Sequence, residues 1–185
     1  PRPVSSAASD VYKRQFPNDL IVQKVEPFHI EAGNLIKREK NLNTEKYKDL
    51  CDKIIERGQY AHWRQTYKGT AVSSHFLSHF GCYCLIGVSG PYNSNSMRAW
   101  IVYMPSKLYY PWHQHPAEEL YFCLAGEATF KADGKDDIIL CEGGVSEPNS
   151  NQPHAMQTDE KPVLAYVIWR NGFDVLPELT HDDAK

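Results

Sequence analysis

The chain has 185 residues, of which 42% are hydrophobic and 23% charged, and its formal net charge is −3. This length suits one domain with a sizeable core, and the composition is that of an ordinary globular protein. The acidic balance argues against nucleic acid or an anionic membrane as a partner, because both favour basic patches.

Targeting signals and cysteine usage bound the compartment. No apolar run approaches the roughly 18 residues that a membrane helix needs, and the N-terminus lacks the apolar stretch of a secretory signal. The five cysteines form an odd set without a C-x-x-C pair. Free thiols in a reducing environment are the simplest interpretation, so we expect a cytoplasmic protein.

The N-terminal third predicts helices. Residues 1–15 show no convincing periodicity, so we expect a disordered leader or a cloning scar there. Between residues 20 and 40 apolar positions are interrupted by Pro27 and Gly33, which indicates short or broken helices. From Tyr47 to Ile55 apolar residues recur at helical spacing, with Asn43 or Thr44 available to cap the start and Gly58 the end.

After about residue 60 the pattern changes to short β-rich segments separated by turn residues. Strands are predicted near residues 82–88, 98–104, 118–125, 127–132, 137–141, 154–158 and 163–170. Asp133 and Gly134 are a hairpin signal between two of them. We therefore expect a helical extension over residues 16–60 packed on a β-barrel over 61–175, with a flexible tail over 176–185.

Four polar residues share one face of an extended segment. Side chains alternate along a strand, so His113, His115, Glu119 and Tyr121 would all point to the same side. Buried imidazoles and a carboxylate need compensation, and a bound cation satisfies them as ligands. His154, at the start of a later strand, could add a third imidazole. The pattern predicts one divalent ion, Zn or Fe before Mn, Co or Ni.

An ordinary structural role is the alternative for each histidine. A lone buried histidine is usually a hydrogen-bonded core residue, and that interpretation applies to those without a polar context. Two histidines one residue apart, followed by a carboxylate four positions later, favour the metal site instead.

The same motif resembles a known superfamily. His113-x-His115-x3-Glu119-x6-Gly126 is similar to the first metal-binding motif of the cupins, with Lys107 standing where a glycine is expected. A second motif, with altered spacing, runs from Gly143 to His154. The resemblance implies a mainly β fold, the double-stranded β-helix or jelly-roll barrel of the cupins, carrying an N-terminal helical extension.

The local sequence around these motifs, over roughly residues 60–172, resembles the cupin-type dimethylsulfoniopropionate (DMSP) lyases. The resemblance is greater to the DddL type than to the DddQ type. The resemblance implies His113, His115, Glu119 and His154 as metal ligands. It implies Tyr121 as the catalytic base and Tyr110 as a second catalytic tyrosine. The reaction implied is a metal-dependent β-elimination of DMSP to dimethyl sulfide and acrylate.

The substrate of that reaction is a small sulfonium carboxylate, and aromatic faces attract a sulfonium cation. Core packing is the alternative for every aromatic residue concerned. The candidates for substrate binding are Tyr110, Trp112, Tyr103, Tyr166 and Trp169. Candidates for contact with a carboxylate are Arg64, Lys68, Arg98 and Arg170.

Two other functions are compatible with the same ligands. A cupin dioxygenase acting on a thiol or a small organic acid would hold Fe(II) with open positions. A non-catalytic cupin would use its metal only to hold the barrel together. The sequence leaves the oligomeric state open, with a homodimer as one possibility.

Overall fold

A computed structural model of the chain describes residues 17–180. The expected leader over residues 1–15 therefore lies outside the described residues, as do residues 181–185. The helices are α1 (Glu31–Arg38), α2 (Lys48–Arg57) and α3 (Ser74–His79), and a 3-10 turn, Gly58–Tyr60, follows α2. The strands are β1 (Ile21–Val22), β2 (Gly81–Ile86), β3 (Tyr92–Asn93), β4 (Arg98–Met104), β5 (Tyr109–Gln114), β6 (Glu118–Ala132), β7 (Ile138–Cys141), β8 (Val145–Ser146), β9 (His154–Gln157), β10 (Val163–Arg170) and β11 (Glu178–Leu179).

The long strand β6 joins two sheets into one barrel. The strand order is β1-β3-β2-β4-β10-β6-β9-β5-β11, with β7 and β8 also paired to β6. Residues 118–126 of β6 pair with β10, whereas residues 127–132 pair with β7 and β9. The architecture is mainly β with few helices, as the sequence predicted.

The bend in β6 depends on Gly126. Its φ is +74°, and a Cβ at this position would lie 1.8 Å from the carbonyl oxygen of Pro162. Inward side chains are odd-numbered up to Cys123 and even-numbered from Ala128. The change begins at Ala125, whose side chain belongs to the outer core and where the register with β10 shifts. Only glycine tolerates both the backbone conformation and the close approach. The two strands predicted on either side of it are consequently one continuous strand.

The N-terminal elements differ in detail from the prediction. Ile21–Val22 form the short strand β1, and the helix expected between residues 20 and 40 begins only at Glu31. Helix α2 lies where the periodicity predicts it, but Leu50 is 47% exposed, so its buried stripe is narrower than expected. The Oγ1 atom of Thr44 accepts a hydrogen bond from the Tyr47 N–H, 3.1 Å away. The α-helix ends with Gly58 as its C-cap, as predicted, but this residue keeps a right-handed helical conformation and begins the 3-10 turn.

Helix α3 was not predicted. Its six residues are too few to show a helical period, and short helices depend on tertiary packing for stability. Ser73 caps the helix by accepting a hydrogen bond from the Phe76 N–H. Phe76 then packs into the barrel interior, which holds α3 next to the site described below.

Two apolar clusters lie on opposite faces of the sheet. The inner core fills the barrel, and the outer core lies between the barrel wall and helices α1 and α2. Trp63 is central to the outer core, and its indole N–H donates to the Gly58 carbonyl over 2.7 Å. A Cβ at Gly33, Gly58 or Gly81 would come within 3.2, 3.0 or 2.8 Å of the Trp63 ring. Because these glycines have no side chain, the indole of Trp63 packs closely against the barrel.

The C-terminal segment corrects one expectation. Within the segment predicted as a flexible tail, Glu178–Leu179 form strand β11 and pair with Gln114 and His113 of β5. The amide of Gln114 also donates to the Glu178 carboxylate over 2.7 Å. The free backbone groups of an edge strand explain this pairing. The expectation considered only the acidic composition of the segment.

Two smaller findings bear on the compartment prediction. The five cysteines are free thiols, and four of them are buried. Among the helices of residues 17–180, none has the length and apolar character required to cross a membrane.

Candidate active site

Three histidines meet inside the barrel. His113 on β5 lies opposite His154 on β9, and His115 directly follows β5. All three side chains are buried, and each offers one nitrogen within 4.8 Å of the others. The pairing of β5 with β9 therefore joins two motifs that are about 40 residues apart in the sequence.

The backbone fixes which nitrogen of each imidazole faces the centre. In all three rings Nδ1 contacts a main-chain carbonyl, which can only accept a hydrogen bond. The acceptors are the carbonyls of Pro111, Ala117 and Gln152, at 2.8, 3.2 and 2.8 Å for His113, His115 and His154 respectively. Nδ1 must therefore carry the proton. In the neutral rings this leaves an Nε2 lone pair free to bind a metal, which is the usual arrangement of metal-binding histidines.

Glu119 supplies a carboxylate to the same centre. Its Oε2 atom lies 3.2 Å from Nε2 of His115 and 3.0 Å from Nε2 of His154. Its Oε1 atom accepts a hydrogen bond from the Trp169 indole over 2.5 Å. Although burial opposes ionisation, the adjacent histidines more than offset it and hold the pKa of Glu119 well below its usual range.

The histidines differ in their tendency to take up a proton. Burial, reinforced by neighbouring His154, places the pKa of His113 well below its usual value, so that ring is neutral. Burial also lowers the pKa of His154, but the Glu119 carboxylate outweighs this effect and leaves it raised. The Nε2 atom of His154 nevertheless makes no hydrogen bond to any described residue. A cation at this point would satisfy the orphaned nitrogen and the carboxylate together, so the residues fit a divalent metal.

A bulge brings Tyr110 to the same side as the histidines. Tyr110 lies opposite Met156 and His113 opposite His154, so β5 has one more residue than β9 between these pairs. This extra residue changes the parity between Tyr110 and His113, so that both side chains face the same side. The Tyr110 ring stacks on His113 with centroids 4.0 Å apart and planes 14° apart.

The hydroxyl of Tyr110 is hydrogen-bonded to that of Tyr67, 2.9 Å away. The Tyr110 ring also contacts the Phe80 ring, with centroids 4.4 Å apart. Burial is the main cause that raises the pKa of Tyr110 well above its usual value. Tyr110 therefore holds the His113 ring in place as a neutral phenol.

Tyr121 lies between two cavities at the centre. The front cavity is lined by Arg64, Cys82, Trp100, Tyr110, Glu119 and Trp169, and Tyr121 forms part of its wall. The smaller rear cavity joins Tyr121 to His113 and His154. Burial and then the Glu119 carboxylate raise the pKa of Tyr121 well above its usual value. A phenolate here would need an added positive charge, which a divalent ion supplies.

Comparison with known proteins identifies the family. A model of the dimethylsulfoniopropionate lyase family matches residues 18–165. The dimethylsulfoniopropionate lyase DddQ of Ruegeria pomeroyi is 42% identical over 169 residues, which cover 91% of this chain and 84% of that protein. The chain belongs to the dimethylsulfoniopropionate lyase family. It is accordingly a carbon–sulfur lyase, as the sequence predicted.

Solved structures agree with this assignment. The crystal structure of DMSP lyase DddQ from Ruegeria pomeroyi superposes with a TM-score of 0.90 at 38% identity, covering 97% of this chain and 95% of that one. A structure reported for the DMSP lyases RdDddP and RnDddQII gives a TM-score of 0.86 at 28% identity, with 95% of each chain covered. Both descriptions name a lyase of the DddQ type. These findings do not support the prediction that placed the DddL type before DddQ.

The five aromatic residues predicted to bind the substrate of this lyase lie in three different places. Tyr110 and Trp169 line the front cavity. Tyr103 and Tyr166 belong to the outer core, on the opposite face of β4 and β10. Tyr166 is three residues from Trp169, so strand alternation puts the two on opposite faces. Trp112 is half-buried and lies outside the lining of the front cavity.

Even Trp169 has little open ring surface. Its ring lies against His115, with centroids 4.1 Å apart, and against Trp100 at 4.6 Å. Both Tyr110 and Trp169 thus pack against an imidazole of the candidate metal site. Their contacts suit the positioning of His113 and His115 better than an exposed binding face.

Several residues of the front cavity were missed in the sequence. Trp100 and Cys82 lie on the inner face of β4 and β2. Tyr67, which precedes α3 and is hydrogen-bonded to Tyr110, was missed as well, although it does not line the cavity itself. For Trp100 a signal existed, because it shares parity with the apolar Val102 on a predicted strand. Tyr67 gives no such signal, because it lies in a segment without regular structure.

Proposed function

We propose that this protein is a metal-dependent lyase that eliminates dimethyl sulfide from DMSP and leaves acrylate. Support comes from the family and from one arrangement. Three Nε2 atoms and the Glu119 carboxylate converge in a buried site whose wall includes the hydroxyl-bearing side chain of Tyr121. DddQ of Ruegeria pomeroyi, to which the chain is similar in both sequence and structure, carries this activity in its name.

The four ligands of the proposed metal are His113, His115, Glu119 and His154. A divalent ion bound there acts as a Lewis acid and offsets the negative charge that develops on the substrate carboxylate. The neutral imidazoles and the carboxylate suit Zn or Fe, and the same set accepts Mn, Co or Ni.

Tyr121 is the proposed base. Its phenolate oxygen takes the proton from the carbon next to the carboxylate, and the electron pair of that C–H bond becomes the double bond of acrylate. The bond to sulfur breaks with its electrons on sulfur, so dimethyl sulfide departs as a neutral molecule without a general acid. Burial of Tyr121 excludes the water that would otherwise compete for the proton.

Tyr110 is proposed to assist this step indirectly. Its ring stacks on His113, and the hydrogen bond with Tyr67 fixes the ring's position. Trp169 has the equivalent position beside His115 while its indole N–H holds the Glu119 carboxylate. Both residues would therefore act by keeping the metal ligands in place.

A headspace assay for dimethyl sulfide tests the proposal. The protein is loaded in turn with each of the five metals and incubated with DMSP, with and without oxygen. We expect metal-dependent sulfide release that is unchanged without oxygen. Loss of activity without oxygen would indicate a cupin dioxygenase, and absence of turnover with every metal would indicate a non-catalytic metal-binding cupin.

The base is tested by Tyr121→Phe, with Tyr166→Phe as a matched control on the outer face. Loss of a general base costs about 10²- to 10⁴-fold in turnover. We expect that loss in Tyr121→Phe and near-normal turnover in Tyr166→Phe, both with full metal content. A fully active Tyr121→Phe enzyme would exclude Tyr121 as the base while leaving the elimination itself in place.

A further inference from the structure

The front cavity is lined by one basic and one acidic side chain, and the proposed function gives the basic side chain no role. Of the described residues that line this cavity, Arg64 is the basic one and Glu119 is the acidic one. The guanidinium carbon of Arg64 lies 5.9 Å from the centre of the Trp100 ring. Trp100 in turn packs edge-on against Trp169, whose indole holds Glu119. Arg64 therefore shares a continuous aromatic wall with the proposed metal centre.

The donors of this guanidinium are uncommitted. Elsewhere Arg38, Arg57 and Arg98 each lie within 4.0 Å of a carboxylate. Among residues 17–180, by contrast, no side chain or carbonyl forms a hydrogen bond or an ion pair with the Arg64 guanidinium. Only its backbone N–H is engaged, with the carbonyl of Cys82 at 2.7 Å. A half-buried arginine with free donors is suited to bind an anion.

The charges of Arg64 and Glu119 both affect the pKa of Cys82, which lines the same cavity. Burial is the main cause that raises the pKa of the Cys82 thiol to about 12, with Arg64 opposing the rise and Glu119 adding to it. Arg64 and Cys82 line the same cavity, so the positive charge of Arg64 acts on other groups of the cavity wall. An anion entering the cavity is attracted by Arg64, whereas a cation is repelled by it.

We propose that Arg64 binds the carboxylate of the substrate and thereby selects organic acids and orients them in the front cavity. The inference rests on the proposed function, in which the substrate has a carboxylate at one end and a sulfonium at the other. A carboxylate has about four acceptor sites on its two oxygens, so it can contact Arg64 in addition to a metal. Repulsion between Arg64 and the sulfonium disfavours the reversed orientation.

The test compares Arg64→Gln and Arg64→Lys with the control Lys53→Gln, at an exposed position on helix α2. Two measurements are made on each metal-loaded protein. The first is kcat and KM for DMSP from dimethyl sulfide release. The second is the Kd of propionate and of uncharged propionamide by calorimetry, which needs no turnover. Unfolding temperature and metal content show that each variant retains its fold and its metal.

For Arg64→Gln we expect the KM for DMSP and the Kd of propionate to rise by about ten- to a hundredfold, which corresponds to losing a hydrogen bond to a charged group. The value of kcat should change much less, and propionamide binding should not change. Arg64→Lys should recover part of the loss because it keeps the charge but not the two parallel donors. Lys53→Gln should behave like the unaltered protein.

Other results would overturn the inference. Unchanged KM and propionate Kd in Arg64→Gln would show that Arg64 does not contact the carboxylate. A fall in kcat alone would show that it acts on the chemical step instead. Weaker binding of propionate and propionamide alike would indicate a change in cavity shape. If the unaltered protein releases no sulfide but its propionate binding depends on Arg64, the proposed substrate fails and the carboxylate contact stands. If propionate binding is independent of Arg64, the contact fails whether or not DMSP is a substrate.

Discussion

The two faces of the sheet formed by β4, β10 and β6 use similar residues for different purposes. The outer face packs tyrosines, aliphatic residues and Trp63 against helices α1 and α2. The inner face encloses an apolar core and four buried polar groups, His113, His115, Glu119 and His154, of which Glu119 belongs to this sheet and the histidines lie opposite it. Strand alternation alone decides which residue faces which way, as Tyr166 and Trp169 on β10 illustrate.

The difference shows what burial means for a tyrosine in each setting. Burial raises the pKa of Tyr166 on the outer face and that of Tyr121 on the inner face. Only Tyr121 has a carboxylate and a candidate metal site beside it, so only there can a bound cation reverse the effect. The outer face therefore contributes packing, whereas the inner face contributes chemistry that depends on an ion.

The largest expected effect separates the two faces by metal. His154→Ala removes a proposed metal ligand inside the barrel, so we expect both metal content and turnover to fall. Replacing a residue that only orients a metal ligand costs up to about 100-fold, so loss of the ligand itself should reduce turnover by more than that. His29→Ala, at an exposed histidine, should leave both unchanged. Metal analysis and the sulfide assay provide the measurements. Full metal content in His154→Ala would remove this histidine from the ligand set.

The same comparison predicts that chelation destabilises the protein, because a metal that binds the folded state stabilises it. We expect the unfolding temperature to fall on metal removal in the unaltered protein and much less in His154→Ala. An equal fall in both would mean that the metal binds elsewhere.

Gly81→Ala tests the outer face. The added Cβ would lie 2.8 Å from the Trp63 ring and 3.2 Å from the Tyr103 carbonyl oxygen. Overpacking of this kind costs about 1 to 3 kcal/mol, so denaturant unfolding should show that loss. Turnover per folded molecule should remain unchanged, since Trp63 does not line the front cavity. A variant that is stable but inactive would show that the two faces are coupled.

Removing one buried tyrosine hydroxyl on each face of the sheet compares the two faces directly. Tyr67→Phe removes the hydroxyl that bonds Tyr110 at 2.9 Å, and Tyr83→Phe removes one that bonds the Ile54 carbonyl at 2.9 Å in the outer core. Each should cost about 1 kcal/mol in the free energy of unfolding. Only Tyr67→Phe should also reduce kcat, because it loosens the ring that stacks on His113. Equal kcat in the two variants would argue against positioning through Tyr110.

The smallest effect concerns a tether on the outside of the barrel. The Asp19 carboxylate accepts hydrogen bonds from the Ser94 hydroxyl and the Asn95 N–H, each at 2.7 Å. These bonds lower its pKa below the usual 3.8. The folded pKa is thus lower than the unfolded one, so the stabilisation is present above about pH 4 and disappears as pH falls through the folded value.

Asp19→Asn should therefore lower the unfolding temperature slightly at about pH 7, and the difference from the unaltered protein should shrink towards about pH 3. The effect is small because the carboxylate is exposed. A difference that grows on acidification would contradict the direction of the pKa shift.

The candidate metal ligands were predictable because strand geometry is periodic. His113, His115 and Glu119 lie close together in the sequence, so alternation was enough to place them on one face. The continuation of β6 through Gly126 was not predictable in the same way, because a glycine normally signals a break. Tyr103 and Tyr166 were misplaced because composition was considered and their parity was not.

The sequence by itself determined the mainly β fold, the family and the set of polar residues that converge in the barrel. Local periodicity and motif spacing are sufficient for these. Only the tertiary structure decided that the bulge at Pro111 turns Tyr110 inwards, that backbone carbonyls orient all three imidazoles, and that Arg64 reaches the same cavity. These features depend on contacts between segments distant in the chain, which no local pattern encodes.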